Sequence, residues 1–191
     1  MKKLTVFLSL LLLTACIGTT PQSKFYNLKP LENNSPLSTR PELTIGIETV
    51  EIPSYLDRPQ IVTFQTNGIE MTISEFNRWS EPLSSMIQQT LAQDLAAVMP
   101  RSLVKVPASA RENFDYTIRL EIIKFDGSWN HLVSLDTWWT ITNSEGKVIL
   151  RRRSNLNLPL KNNYDNLVIQ QSALLVNLAE EIAAAARNLK K

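Results

Sequence analysis

The chain has 191 residues, with 20 basic and 18 acidic side chains, one histidine and one cysteine. Two of the basic residues, Lys2 and Lys3, belong to an amino-terminal hydrophobic leader, so a processed chain would carry 18 charges of each sign. Without a basic excess, nucleic-acid binding has no electrostatic support. One histidine and one cysteine cannot form a cluster of zinc ligands. No glycine stands in a phosphate-binding motif. We therefore expect no metal and no cofactor.

The first 15 residues have the three zones of an export signal. A basic start at Lys2 and Lys3 is followed by the apolar residues 4–13 and by small residues. The apolar run covers about ten residues, whereas a helix that spans a bilayer needs about 20. We predict that residues 1–15 form a signal peptide.

Cys16 follows this leader directly, and Leu13-Thr14-Ala15-Cys16 resembles the lipobox of bacterial lipoproteins. The resemblance implies a diacylglyceryl group on the thiol, cleavage before Cys16 and acylation of the new amino terminus. An unmodified cysteine in a cleaved or retained leader is the alternative. Residues 16–23 are then the lipidated amino terminus and a short tether, of which residues 17–23 reach about 25 Å at roughly 3.3–3.6 Å per residue.

The next segments favour β-structure. Residues 24–28 are short and aromatic enough for a first strand, and residues 43–47 alternate between apolar and polar side chains. Residues 60–66 and 69–73 flank Asn67-Gly68, a dipeptide typical of a tight type I′ hairpin. We predict two separate strands, followed by a β-hairpin.

A helix follows, because the apolar period changes from two to about four residues. Leu83, Ile87, Leu91 and Leu95 recur on one face. Ser80 can cap the start of this helix, and a proline at position 100 forbids its continuation.

A second β block and a long terminal helix complete the chain. Strands are predicted over residues 114–122, 132–142 and 147–156, and the apolar positions between 167 and 189 recur with helical spacing. This order predicts an α+β fold in which an antiparallel or mixed sheet carries both amphipathic helices on one face. We expect residues 24–191 to form a single periplasmic domain.

A catalytic set is not expected. His131, Ser134 and Asp136 are close in sequence, but positions 131 and 134 of a strand face opposite sides, and no nucleophile elbow is present. We predict that the protein is not an enzyme and that His131 is an ordinary residue at a strand end.

Trp138 and Trp139 are adjacent in a predicted strand, so one ring should enter the core and the other should face outward as a candidate contact residue. Residues 151–153 are three arginines that should divide between the two faces of their strand.

The string YLDRPQIV, residues 55–62, places Asp57 and Arg58 beside an aromatic residue and between two prolines. One interpretation is a rigid turn with a local ion pair. The other is a rigid polar loop that presents a binding edge.

This string and RWSEPL, residues 78–83, resemble the auxiliary lipoproteins of ABC-type transport systems, and among them the paraquat-inducible protein C family. The lipobox and the alanine-rich last helix fit as well. On this resemblance, Tyr55, Asp57, Arg58, Arg78 and Trp79 are candidate partner-binding or structural residues.

The resemblance implies a lipoprotein of the outer membrane that faces the periplasm. Its expected partners are an inner-membrane transporter component and a mammalian-cell-entry (MCE) domain protein that bridges the envelope, its cargo is expected to be lipid, and it would support membrane integrity. A homo-oligomeric ring is a further hypothesis, since bridging proteins of that class form rings. The alternative function is a periplasmic lipid-binding lipoprotein that carries cargo in its own pocket.

Overall fold

The computed structural model describes residues 21–33, 40–109 and 112–189. These residues form eight strands and two helices in the order β1 (Lys24–Tyr26), β2 (Thr44–Glu51), β3 (Gln60–Phe64), β4 (Met71–Trp79), α1 (Leu83–Val98), β5 (Leu103–Lys105), β6 (Tyr116–Ser128), β7 (Leu132–Asn143), β8 (Val148–Pro159) and α2 (Tyr164–Leu189).

All eight strands belong to one mixed sheet built around β6. On one side of β6 the strands β7 and β8 follow in antiparallel order. The other side is shared, because β2 runs parallel to the first half of β6 and β3 runs parallel to its last residues. Strand β5 extends the sheet beyond β2, while β4 and then β1 extend it beyond β3.

Both helices pack on the same face of this sheet. Helix α1 lies against β2 and β5, α2 lies against β6, β7 and β8, and the two helices contact each other. Fully buried side chains fill the space between the layers, among them Ile47 of β2, Leu91 of α1 and Leu178 of α2. The predicted α+β fold class is confirmed. The opposite face of the sheet carries no helix among the described residues, and we call it the open face.

A β-bulge at Ile123 determines which residues of β6 reach the open face. Ile122 lies opposite Thr137 and Lys124 opposite Asp136, so one residue of β6 is unmatched. The alternation of β6 is therefore reversed after the bulge. Phe125 then faces the helices.

Two predicted details of the chain turns are wrong. Ser80 does not cap α1, which begins after Pro82 without a side-chain cap, because the backbone N–H of Ser80 donates to Tyr26 and its hydroxyl donates to Asn27. The turn at Asn67-Gly68 is not type I′, because only Gly68 has a positive φ, of 69°. Asn67 instead accepts backbone hydrogen bonds at Oδ1.

Candidate functional site

The predicted lipidation site, Cys16, lies outside the described residues. The described chain begins at Pro21 and enters β1 at Lys24. Lipidation of Cys16, and the role of residues 16–23 as a lipidated amino terminus and tether, therefore stay predictions. No helix among residues 21–33, 40–109 and 112–189 has the length and apolar character needed to cross a membrane.

The two strings that carry the family resemblance meet in the structure. Gln60 of β3 lies opposite Arg78 of β4, and the backbone N–H of Trp79 donates to the Pro59 carbonyl at 2.7 Å. The next strand, β1, pairs with the same end of β4 and places Tyr26 opposite Trp79. Three segments that are far apart in sequence thus form one corner of the sheet.

Tyr55 connects the first string, residues 55–62, to the open face. Its hydroxyl donates a hydrogen bond of 2.6 Å to Oδ2 of Asp126, and its ring stands edge-on to Phe64 at 6.1 Å. Asp126 is only 1% exposed and lies beyond the bulge of β6, on the open face. Burial raises the pKa of the Asp126 carboxyl, while the Tyr55 hydrogen bond and Lys124 oppose this rise. The β2–β3 loop therefore covers a buried carboxyl group.

The other residues of the first string differ in exposure. Asp57 is exposed and Arg58 is half-buried, and no ion pair joins them in the described part of the chain. The local ion pair of the rigid-turn interpretation is therefore absent among the described residues. The Nε of Arg58 is buried and lacks a hydrogen-bond partner among the described residues. The turn is held by backbone hydrogen bonds instead, such as the 2.9 Å bond from the Leu56 N–H to the Pro53 carbonyl.

In the second string Trp79 is buried at 4% exposure, whereas Arg78 is half-buried and donates from Nε to the Glu75 carbonyl at 3.4 Å. The geometry of Tyr55 and Trp79 is that of structural residues. Asp57 remains the most accessible member of the five candidates.

A second group of polar and aromatic side chains lies on the open face around Trp138. The guanidinium carbons of Arg151 and Arg153 lie 5.0 and 5.9 Å from the centroid of its ring. Arg153 also binds both carboxylate oxygens of Asp136, at 2.8 and 2.6 Å, which lowers the pKa of that carboxyl. Trp139 points the other way and is buried, with its indole N–H donating to Ser154. The predicted division of the two tryptophans is confirmed.

The geometry of the sequence-adjacent His131, Ser134 and Asp136 does not resemble a hydrolase triad. The Ser134 hydroxyl bonds to Asn157 at 2.7 Å, and Asp136 is occupied by Arg153. His131 is exposed in the turn between β6 and β7. No group of three or more potential metal ligands occurs among the described residues.

A further buried carboxyl group, like that of Asp126, was not identified from the sequence. Asp94 of α1 is fully buried, accepts a 2.7 Å hydrogen bond from the Leu31 N–H, and has an Oδ2 without a partner among the described residues. Burial raises the pKa of Asp94 to about 6. Its position three residues after Leu91, on the apolar stripe, is the signal that could have revealed it.

Comparison with known proteins places this architecture in a family. The sequence profile of the ABC-type transport auxiliary lipoprotein component family matches residues 26–183, which include both strings, the whole of α1 and most of α2. The chain belongs to this family. As an ABC-type transport auxiliary lipoprotein component, it has two full-length relatives named intermembrane transport lipoprotein PqiC, one from Escherichia coli (strain K12) and one from Shigella flexneri. Each is 23% identical over 100% of this chain and 99% of its own length.

Two crystal structures share the fold of this auxiliary lipoprotein. One, of a protein without an assigned function, has a TM-score of 0.70 and 22% identity, and covers 87% of this chain and 99% of its own. The other, from Xanthomonas campestris, has a TM-score of 0.69 and 12% identity, and covers 88% of this chain and 100% of its own. At these identities the two structures support the fold alone.

Proposed function

We propose that this auxiliary lipoprotein is the outer-membrane subunit of an intermembrane lipid transport system, where it docks an envelope-spanning protein of the MCE class without catalysing a reaction. The observation that carries the proposal is the similarity over the whole chain to intermembrane transport lipoprotein PqiC. The lipobox ending at Cys16 supports it from the sequence.

The proposed membrane placement rests on the residue next to the predicted lipidation site. Ile17 is not the aspartate that typically retains lipoproteins in the inner membrane, which favours sorting to the outer membrane. A short tether would keep the folded part close to the periplasmic face of that membrane. Cell fractionation would test this placement, and recovery in the inner membrane would contradict it.

The open face is the surface that we assign to the docked protein. It combines a half-buried tryptophan, Trp138, with the charged pair Asp136–Arg153, and the exposed Asp57 lies in the loop that covers another part of this face. Aromatic and arginine side chains are enriched at protein interfaces. The part of the open face around Trp138, over which no helix of the described chain packs, offers such side chains to a partner.

In-cell photo-cross-linking would test the docking role. A photoreactive amino acid is placed at Trp138 or Asp57, and at Gln93 as a control, because Gln93 is exposed on α1, away from the open face. We expect adducts with an MCE-domain protein at Trp138 or Asp57 and none at Gln93. If neither open-face position captures an MCE-domain protein, the proposal fails.

The alternative function, a lipid carrier with its own pocket, has less support. The layer between the sheet and the helices is filled by side chains such as Ile47, Leu91 and Leu178, each 0% exposed. Native mass spectrometry of the unacylated chain would decide, since a co-purified lipid in stoichiometric amount would favour the carrier.

The homo-oligomeric ring belongs to the same proposal, as a way to surround an envelope-spanning partner. Analytical ultracentrifugation of the unacylated chain is the direct measurement. A single monomeric species at high protein concentration would contradict the ring.

A further inference from the structure

Three apolar side chains are exposed on the β3–β4 hairpin. Ile69 is 83% exposed, Met71 41% and Ile73 42%. Met71 lies opposite Phe64 and Ile73 opposite Val62, so both project from the same side of the hairpin. We call Ile69, Met71 and Ile73 the hairpin patch. Grouped exposed apolar side chains of this kind mark contact sites.

Two amphipathic aromatic residues lie at the same end of the sheet. The backbone N–H of Trp129 donates to Phe64 at 3.1 Å, and the Thr66 hydroxyl donates to the Trp129 carbonyl at 3.1 Å. The Trp129 ring stands edge-on to Tyr164 at 5.1 Å, and both residues are half-buried. Tryptophan and tyrosine are enriched where a protein meets the headgroup region of a bilayer.

The direction of β1 relates this end to the predicted lipid anchor. Strand β1 runs parallel to β4, with Lys24 opposite Asn77, so the chain before Lys24 leaves toward the beginning of β4, where the hairpin patch lies. Cys16 precedes Lys24 by eight residues, which reach about 26–29 Å when extended. Strand β3, from Gln60 to Phe64, covers only about 13 Å of that direction. The tether is therefore long enough for Cys16 to reach the level of the hairpin patch.

We propose that the hairpin patch rests in the headgroup–acyl boundary of the leaflet that holds the acyl chains of Cys16. The inference rests on the proposed lipoprotein function and adds a second membrane contact and an orientation. The β3–β4 hairpin and Trp129 face the bilayer, and the β7–β8 turn, at the opposite end of the sheet, faces away. Because Glu70 lies between Ile69 and Met71, and Glu75 follows two residues after Ile73, the matching surface is a zwitterionic rather than a strongly anionic one.

The cysteine content of the chain makes this orientation measurable. Cys16 is the only cysteine, and acylation consumes its thiol, so one added cysteine gives one labelling site. Ile69→Cys reports on the hairpin patch. Val148→Cys is the matched control, because Val148 is a 56% exposed apolar residue at the start of β8, beside the β7–β8 turn.

Each variant of the full lipidated chain is labelled with an environment-sensitive fluorophore and placed in phosphatidylethanolamine-rich vesicles. We expect the Ile69→Cys label to emit at shorter wavelength and to be quenched several-fold more than the Val148→Cys label by nitroxide-bearing lipids. Since an interfacial segment enters about 5–10 Å, shallow nitroxides should quench it more than deep ones.

Three results would overturn the orientation. Protein that floats with the vesicles but shows equal quenching at both positions has no contact at the hairpin patch. A blue shift without lipid quenching, lost when the protein is diluted within the vesicles, identifies a second copy as the occupant. Greater quenching at Val148→Cys reverses the orientation. Failure to float at all would refute lipid anchoring itself, and with it the inference.

Discussion

Removal of the Tyr55 hydroxyl should destabilise the fold, because that hydroxyl is the hydrogen-bond donor to a buried carboxyl group. Oδ2 of Asp126 accepts from Tyr55 at 2.6 Å, while Oδ1 lies 3.6 Å from Lys124 Nζ and has no hydrogen bond among the described residues. Tyr55→Phe leaves the ring in place and keeps its edge-on contact with Phe64. The variant therefore removes the hydrogen bond to Asp126 and keeps the packing of the ring.

The expected loss follows from the charge of the acceptor. A hydrogen bond to a charged group contributes about 1.5–3 kcal/mol, so the free energy of unfolding should fall by that amount. For a chain of this size the melting temperature should fall by about 3–12 °C. The hydrogen bond favours the charged carboxylate and so opposes the rise that burial causes in the pKa of Asp126. The contribution of this hydrogen bond to the free energy of unfolding is therefore fully present at higher pH and is lost as the pH falls through the folded-state pKa. The difference between wild type and variant should therefore shrink in acid.

Urea denaturation of the mature chain carrying Cys16→Ser measures this loss. Tyr116→Phe is the matched control, since the described residues show no hydrogen bond from that hydroxyl, and its effect should stay within about 0.5 kcal/mol. If Tyr55→Phe is as stable as the control, the structural role assigned to Tyr55 is wrong. A stable Tyr55→Phe protein that no longer cross-links to its partner would show that Tyr55 belongs to the binding surface.

Three further predictions concern separate parts of the molecule. Burial raises the folded-state pKa of Asp94 to about 6, above its ordinary value of 3.8, so its contribution to stability is present below pH 3.8 and is lost as the pH rises through about 6. The wild-type free energy of unfolding should therefore fall over that window, relative to Asp94→Asn, by about 3 kcal/mol at 1.36 kcal/mol per pKa unit; parallel curves for the two proteins would contradict this. Trp139→Ala should cost about 3–5 kcal/mol in urea denaturation because the ring is buried, whereas Trp138→Ala should cost far less and should weaken partner cross-linking; equal losses would contradict the division of the two rings. Cys16→Ser should retain the circular dichroism spectrum and melting temperature of the folded chain but leave the membrane fraction, and a variant that still fractionates with membranes and complements a deletion would refute the anchor.

Local patterns in the sequence were sufficient to predict the helices and most strands. The Leu83, Ile87, Leu91 and Leu95 stripe is wholly buried in α1, as its four-residue period predicts. The separation of Trp138 from Trp139 follows from strand alternation alone. Such periodicities are properties of one element, so they can be read without knowing what the element contacts.

Segment ends were predicted less well, because partners distant in sequence determine them. Strand β4 continues to Trp79, beyond the predicted end at residue 73, since β1 pairs with its last three residues. The same pairing occupies Ser80, which therefore does not cap α1. The bulge at Ile123, which brings Asp126 to the open face, depends on the register with β7.

By itself, the sequence was sufficient for the α+β class and the family, and it predicts an export signal and a lipobox at Cys16, since each depends on residue types at local spacing. Only the tertiary structure decided that residues 55–60, 78–79 and 24–26 form one corner, and that Asp94 and Asp126 are buried carboxyl groups. The physical reason is that burial and hydrogen bonding of a side chain depend on neighbours contributed by other segments. A local pattern does not contain those neighbours.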